Sequence, residues 1–511
     1  VVAPEVSVKN SDHAKSVFLM SERLSKTALT SAFTVLLVAW LAVLWPLPKG
    51  LFKESDTFWL IEVGHNILNH FSLPAFNGGV DPYSIGAVKS PWIVYQWTSE
   101  VLLSLANHFG LIGVSILGCS TLALLLCVLV FRRMLKLGVH AVVALLVIAI
   151  VLHSTFPDIA TLRPQLFSFV FLFLLQVVVE DVWASGAKSK SDSLKSLLTR
   201  IFLISLLWTN FHVSFPLGFA ILSLYLCAAF IQVLLHKDAN KTRLRVFALM
   251  TAVYVGATLI NPYGIKLWFF LQTLNGIYKT QELQPLDWSR SGLYVVVYCL
   301  LMLSNLSLWK SVARPKLALA AMLFVLGCLH GRLIIYFCLS ACTLVGEALT
   351  AMLPSVIRMP WISRTSNVIE VVAVKGYYPV IILLLSIFVV CSQPIYIPRS
   401  IPLKAAEYLA FHKPSGNFFC PDHAASYLIY RFHGNIKVFI DGRLDRYDAE
   451  LCKRYLDAMS GVGWKELFAE YNITEALLPN DAALNRAIEH DADWEKEYQD
   501  DSFSISVRRN H

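Results

Sequence analysis

Leu111-Ile112-Gly113-Val114-Ser115-Ile116-Leu117-Gly118-Cys119-Ser120-Thr121-Leu122-Ala123-Leu124-Leu125-Leu126-Cys127-Val128-Leu129-Val130-Phe131 is an uncharged run that ends on Arg132-Arg133. At a rise of about 1.5 Å per residue, a helix of this length reaches across a bilayer core about 30 Å thick. Backbone amides in hydrocarbon must be satisfied within their own segment, so the run reads as a transmembrane helix. It lacks the period-two alternation of an outer-membrane barrel strand. The chain around it has 511 residues, 56% hydrophobic and 15% charged, with mean hydropathy +0.59. Soluble domains carry about 25% charged residues. A soluble enzyme, a secreted disulfide scaffold and a disordered chain are thereby excluded, and a polytopic α-helical membrane protein is left.

Eleven spans are expected, near 28–47, 111–131, 139–153, 165–183, 199–210, 215–235, 246–261, 292–309, 315–330, 333–353 and 376–394. Residues 1–27 are polar and mildly basic, too long and too polar for the n-region of a cleaved signal, so the first run is expected to stay as a span. Basic residues gather in every second loop, as at Arg132, Arg133 and Lys136, at Lys237, Lys241, Arg243 and Arg245, and at Arg358, Arg364 and Lys375. The alternate loops are poor in them. The positive-inside rule then puts residues 1–27 in the cytoplasm. It puts the long loop 48–110, the loop 262–291 and the region 398–511 outside, with 28–397 as the transmembrane domain. The net charge of +8 reflects these anchoring loops. No aromatic-interleaved basic patch accompanies it, so no nucleic-acid partner is expected.

Most of the ten cysteines fall in or beside apolar runs, where they act as small hydrophobes. Only Cys420 and Cys452 lie in the polar C-terminal region, where a disulfide between them stays open. That region reads as a small α/β domain. Strands are expected at Asn417–Cys420, Ser426–Tyr430, Lys437–Ile440, Ala476–Leu478 and Phe503–Val507. Helices are expected at Leu403–Phe411, Ala449–Met459, Trp464–Glu470 and Asp481–Glu489. Asp441-Gly442-Arg443 follows the apolar stretch ending at Ile440. It reads either as ligand-facing residues at a strand end or as an internal Asp–Arg pair that fixes a turn.

Ionisable groups at membrane depth are costly and mark sites. Here they gather at the outer ends of the spans: Asp56, Glu62, His65 and Asp81; His153, Asp158 and Arg163; Asn210 and His212; His330 and Arg332. A transporter needs polar groups near the midplane on interrupted helices, which makes it the weakest reading. Asp56 stands just beyond the first span beside Trp59. It suits a general base of raised pKa or an N-cap for a helix beginning near Thr57. Asp81-Pro82 is a turn signal. Trp59, Trp92 and Trp97 suit an interfacial aromatic belt or a sugar-stacking platform. Arg163 and Arg332 suit phosphate, which the guanidinium fork matches, or snorkelling and pairing with Asp158. His212 and Asn210 suit hydrogen-bonded helix-turn residues. No two ligands stand at a diagnostic metal spacing, so no metal residues are assigned, and a divalent ion on Asp56 stays open.

Asp56-Thr57-Phe58-Trp59, Gly64, Pro74, Asp81-Pro82-Tyr83-Ser84, Trp92, Trp97 and Glu100 together resemble the first outer loop of bacterial polytopic proteins of the GT-C glycosyltransferase superfamily. Arg163-Pro164-Gln165, Trp208-Thr209-Asn210-Phe211-His212, Asn261-Pro262-Tyr263-Gly264, the Arg332 hinge and the tail Val438–Tyr447 resemble later blocks in the same order. The resemblance covers nearly the whole chain. It implies a GT-C fold and transfer of a sugar from a polyprenyl-phosphate donor to an undefined acceptor, at the outer face of a bacterial cytoplasmic (inner) membrane. Asp56 maps onto the family's acidic base or orienting group. Arg163 and Arg332 map onto phosphate-binding positions, with His212, Asp81, Trp59 and Trp97 as further substrate-binding residues. The implied partners are membrane lipids, the lipid-linked donor and other chains of a membrane complex. Leu60 stands where related sequences often have His, Gln96 stands where an acidic residue or His is common, and the Arg332 block lacks its following polar residue. These departures motivate the alternative of a catalytically inactive subunit that scaffolds a membrane complex.

Overall fold

A computed structural model describes residues 26–73, 81–86, 92–185, 193–235, 241–274, 285–288 and 314–509. They fall into two compact units that do not follow chain order. One draws on Val1–Gly50, Ser115–Gly264 and Lys279–Pro394; the other on Leu51–Val114, Ile265–Tyr278 and Ile395–His511. The first outer stretch therefore belongs with the tail rather than with the apolar helices that flank it in sequence.

The first unit is helical. Helices occupy Lys26–Leu44, Ala141–Ile159, Gln165–Ser185, Leu194–Phe211, Pro216–Leu235, Lys241–Thr258, Arg314–Leu329, Ile334–Met352, Pro360–Val374 and Tyr378–Cys391. Among the described residues, five helices are long and apolar enough to cross a membrane, including Gly110–Lys136 and Gln165–Ser185. A sixth is added if the pair Ile362–Val374 and Tyr378–Cys391, bent by 92°, counts as one span. Helices at Phe33–Lys49, Ala141–His153 and Pro315–Leu329 are apolar but shorter. The span expected at 292–309 and the segment 1–25 lie outside the described residues. Pro360–Val374 is a helix where the charge pattern predicts a basic loop. Its moderate apolarity hides it from a hydropathy window, and Pro360 in its first turn starts it cleanly.

Polar groups inside this unit are spent on fixing helices. Residues Leu124–Val130 of the long helix form a π-helical turn, which loosens the regular backbone ladder. Cys127 O in that turn accepts from Tyr378 Oη at 2.8 Å, and Tyr378 Oη accepts from Trp40 Nε1 at 2.8 Å. Arg133, almost fully buried, bonds Glu180 at 2.8 Å and Asp181 at 2.6 Å. An interior charge needs such partners to be tolerated.

The second unit packs two helices of the outer stretch against the tail. Helices Asp56–His70 and Trp97–Asn107 meet at Gly64, where a Cβ would collide with the Glu100 carbonyl. Helix Asp422–Phe432 lies on Asp56–His70, with Phe58 edge-on to Tyr427 at 5.0 Å. The tail sheet has strands β1 (Asn417–Phe419), β2 (Ile473–Pro479), β3 (Trp494–Gln499) and β4 (Phe503–Arg508), in the order β1-β2-β4-β3. β1 runs parallel to β2, and the other pairs are antiparallel. Phe419, Phe439, Leu451, Trp464, Phe468 and Trp494 belong to the tail's buried apolar core.

Three expectations for the tail change. Ser426–Tyr430 is helical, within Asp422–Phe432, because the buried Ala425, Leu428, Ile429 and Phe432 recur with helical rather than alternating spacing. Lys437–Ile440 is not a ladder strand: only Val438 bridges, to Ser84 on one side and Phe418 on the other. Strand β3 is absent from the sequence expectation because its sequence WEKEYQ is charged; it lies at the sheet edge, where charges are favoured. Cys420 and Cys452 are both buried and unbridged.

Candidate functional site

The second unit draws the two most specific sequence blocks together. Residues 83–86 of the outer stretch pair with the tail. Val438 N–H donates to Tyr83 O at 3.0 Å, and Ile85 N–H donates to Val438 O at 2.9 Å. Gly86 N–H donates to Phe439 O at 3.1 Å and continues the pairing. This brings the tail turn Asp441-Gly442-Arg443 onto the start of helix Asp56–His70. Asp56 opens that helix, with Ser55 in the N-cap position, so it is not itself the cap. Its Oδ1 accepts from Trp59 Nε1 at 3.2 Å. Gly442 lies directly against the pair: a Cβ there would collide with Asp56 Oδ1 and stand 3.3 Å from Trp59 Nε1.

Behind Gly442 is a closed charge network. Arg443 has no exposed side-chain surface. It donates to Asp81 from Nη1 at 2.9 Å and Nη2 at 3.0 Å, and to Asp441 from Nε at 3.0 Å and Nη2 at 2.5 Å. Its guanidinium also lies over the rings of Trp92, 4.6 Å from the centroid, and Tyr83, 4.9 Å away. Arg446 Nε reaches Asp81 Oδ2 at 3.2 Å. Asp81 accepts from the amides of Tyr83 and Ser84 at 2.9 and 3.0 Å, which makes the turn its sequence signals. Burial pushes the Asp81 carboxyl up, but the charge and hydrogen bonds of Arg443 outweigh it and hold the group below its ordinary value. Burial likewise opposes the Arg443 charge, and Asp441 and Asp81 more than offset it.

Three further carboxyls of this unit sit in unusual surroundings. Burial pushes Asp445 up to about 6, against the pull of Arg443 and Arg446. Glu100 is buried and raised well above its ordinary value, and its Oε2 has no hydrogen-bond partner among the described residues. Glu62 is raised by burial although His433 Nδ1 stands 2.8 Å from its Oε2. Among the described residues, no three His, Cys, Asp or Glu side chains are gathered so as to hold a metal ion.

The first unit holds a basic cluster at helix ends. Arg332 lies in a short 3-10 turn, Gly331–Leu333, and its Nε donates to Gln165 Oε1 at 2.6 Å. Gln165 opens the helix Gln165–Ser185, just after Arg163-Pro164. The charges of Arg332 and Arg163 both bear on His212. His212 follows the helix Leu194–Phe211, and its Nδ1 accepts from the Ser214 amide at 3.1 Å. The Ser214 hydroxyl accepts from Trp208 Nε1 at 3.1 Å and Tyr336 Oη at 3.2 Å, and it donates to Ser168 Oγ at 2.9 Å. Asn210 donates to the carbonyls of Leu206 and Ile260, as a helix-turn residue does.

The sequence-derived residues thus form two groups, each inside one unit. Arg163, Arg332 and His212 come together in the first; Asp56, Trp59 and Asp81 belong to the second, where Trp97 opens the helix Trp97–Asn107. The buried Trp92 stacks on Arg443 and Trp59 bonds Asp56, so neither serves in an exposed aromatic belt. The side chain of Asp158 lies outside the described set. Gln165, Ser214 and Tyr336 join the site without being singled out by the sequence. Only Gln165 carries a signal there, through the Arg163-Pro164-Gln165 block.

No protein-family model matches the sequence, and no curated protein matches it. Solved structures do. The archaeal oligosaccharyltransferase AglB from Archaeoglobus fulgidus, in complex with an inhibitory peptide and a dolichol-phosphate, is similar with a TM-score of 0.53 at 9% identity, over 88% of this chain and 69% of that one. Its apo form gives a TM-score of 0.59 at 11% identity, over the same 88% and 69%. ArnT from Cupriavidus metallidurans, bound to undecaprenyl phosphate, is similar with a TM-score of 0.50 at 11% identity, over 95% of this chain and 98% of that one.

Proposed function

We propose that this chain, a helical membrane protein with the GT-C fold, transfers a sugar from a polyprenyl-phosphate-linked donor to an acceptor at the outer face of the cytoplasmic membrane. The observation that carries the reading is the Asp56 carboxylate, partly exposed, fixed by Trp59 and met by the Gly442 turn. Asp56 takes the proton of the acceptor hydroxyl as that oxygen attacks the anomeric carbon. The bond from that carbon to the phosphate oxygen breaks, and polyprenyl phosphate leaves with the electron pair. General-base help of this kind is worth on the order of 10²–10⁴ in rate. Independently of that step, the cluster of Arg163, Arg332 and His212 within the first unit is proposed as a binding place for a lipid phosphate. Guanidinium groups suit it by geometry and charge. The lipid phosphates named for the AglB and ArnT structures support a donor of this chemistry.

A scaffold subunit without turnover is the second reading. It rests on Leu60, which is 1% exposed and packed as a core residue where the family often has His. Labelled polyprenyl-phosphate sugars in proteoliposomes separate the two. The transferase reading expects labelled product from the wild type and a loss of at least about 10²-fold in Asp56→Asn. Equal turnover in Asp56→Asn removes the base from Asp56. No turnover of any donor by the wild type favours the scaffold.

A further inference from the structure

We infer that Arg443 is a positioning residue, which acts through the Gly442 turn to set where the Asp56 carboxylate points. The inference rests on the reading of Asp56 as the acid–base group. Three observations carry it. Gly442 and Asp56 occupy adjoining space with no room for a methyl group between them, so the turn is a wall against the carboxylate. The atom that a side chain on Gly442 would meet is the carboxylate oxygen of Asp56, with Trp59 Nε1 next, and not backbone. Asp56 Oδ1 is thus bounded both by the indole that donates to it and by the turn, which lies against the two together.

The turn itself has almost no freedom. The Asp441 amide donates to Tyr447 Oη at 3.0 Å, and Asp441 Oδ1 accepts the Arg443 amide at 2.8 Å. The Arg443 side chain then ties the turn to Asp81, while its guanidinium lies over the rings of Tyr83 and Trp92. Apolar residues of similar volume would stabilise a buried turn as well as such a network does. What ions add is direction: two carboxylates and a planar fork admit one arrangement. Misplacing a catalytic group by about 1 Å costs up to about 10²-fold in rate. A network that fixes the wall behind Asp56 acts on that distance.

Gly442→Ala is the direct test, because the added methyl is accommodated by turning the Asp56 side chain rather than by moving backbone. The transfer assay in proteoliposomes is expected to show kcat lower by about 10- to 100-fold, with donor KM within about twofold. In an Asp56→Asn background the same substitution is expected to add no further loss. Arg443→Lys keeps the charge but not the fork, and it is expected to lower kcat in the same way. It carries the test if Gly442→Ala does not fold. Wild-type kcat in the folded variant overturns the inference, as does a full additional loss in the Asp56→Asn background. Those results leave the transferase reading standing. Full activity in Asp56→Asn alone overturns the inference together with the assignment of the base to Asp56, and an inactive wild type overturns the transferase reading itself.

Discussion

Arg443 has no exposed side-chain surface and holds two carboxylates, whereas Arg332 is partly exposed and donates to the neutral amide of Gln165. Around Arg443 the charges close on themselves: Asp81 and Asp441 answer the guanidinium, and two aromatic rings exclude water. Arg332 shares its surroundings with a second cation, since both it and Arg163 bear on His212. A closed network serves the fold; an accessible basic cluster suits a ligand. The difference separates two arginines that both follow a glycine at an element boundary.

The largest effect expected from this contrast is on stability. Arg443→Ala leaves Asp81 and Asp441 buried without their counter-charge, which costs about 3–5 kcal/mol. Thermal unfolding in detergent should show a large fall in midpoint, while Arg332→Ala stays within about 1 kcal/mol of the wild type. Equal losses would dissolve the distinction. Gly64→Ala is the uncharged control within the same unit as Arg443. Its methyl meets the Glu100 carbonyl, and overpacking of this kind costs about 1–3 kcal/mol.

A smaller effect lies in pH. The Asp445 carboxyl is raised to about 6 in the folded chain, above the unfolded value of about 3.9. Between those values the folded state holds the proton and the unfolded state does not, so stability falls as pH rises through the window. Asp445→Asn should therefore stabilise the protein above pH 6, by up to about 3 kcal/mol, and leave it unchanged below about pH 4. Asp81 works in the opposite sense: its folded value is lowered, so its contribution is present above about pH 4 and is lost on further acidification. A variant Asp445→Asn with the same pH profile as the wild type would contradict the burial of that carboxyl.

The apolar helices are legible in the sequence because hydropathy and length act locally. Leu403–Phe411, Ala449–Met459 and Trp464–Glu470 are legible for a related reason, since each carries its own apolar face. Ser426–Tyr430 misleads because five residues are too few to separate a period of two from one of 3.6. Charged β3 is hidden because an edge strand needs no apolar alternation. Of the two candidate groups, Asp56 and Trp59 in one unit and Arg163 and Arg332 in the other can be picked out by residue type and place. The link from Asp81 to Arg443 cannot be read, because the pairing joins residues far apart in the chain. The same holds for the demand that Gly442 have no side chain, which comes from Asp56 and not from the turn alone.

Binding of undecaprenyl phosphate to the purified full chain, followed by native mass spectrometry over a lipid titration, tests the central contrast most directly. Arg332→Ala and Arg163→Ala should each weaken binding by about tenfold or more, as loss of one charge-assisted contact of roughly 1.5–3 kcal/mol requires. Arg443→Lys, where it folds, should bind as the wild type does. Wild-type affinity in both Arg332→Ala and Arg163→Ala, or a comparable loss in folded Arg443→Lys, would contradict the assignment of the phosphate to the accessible cluster.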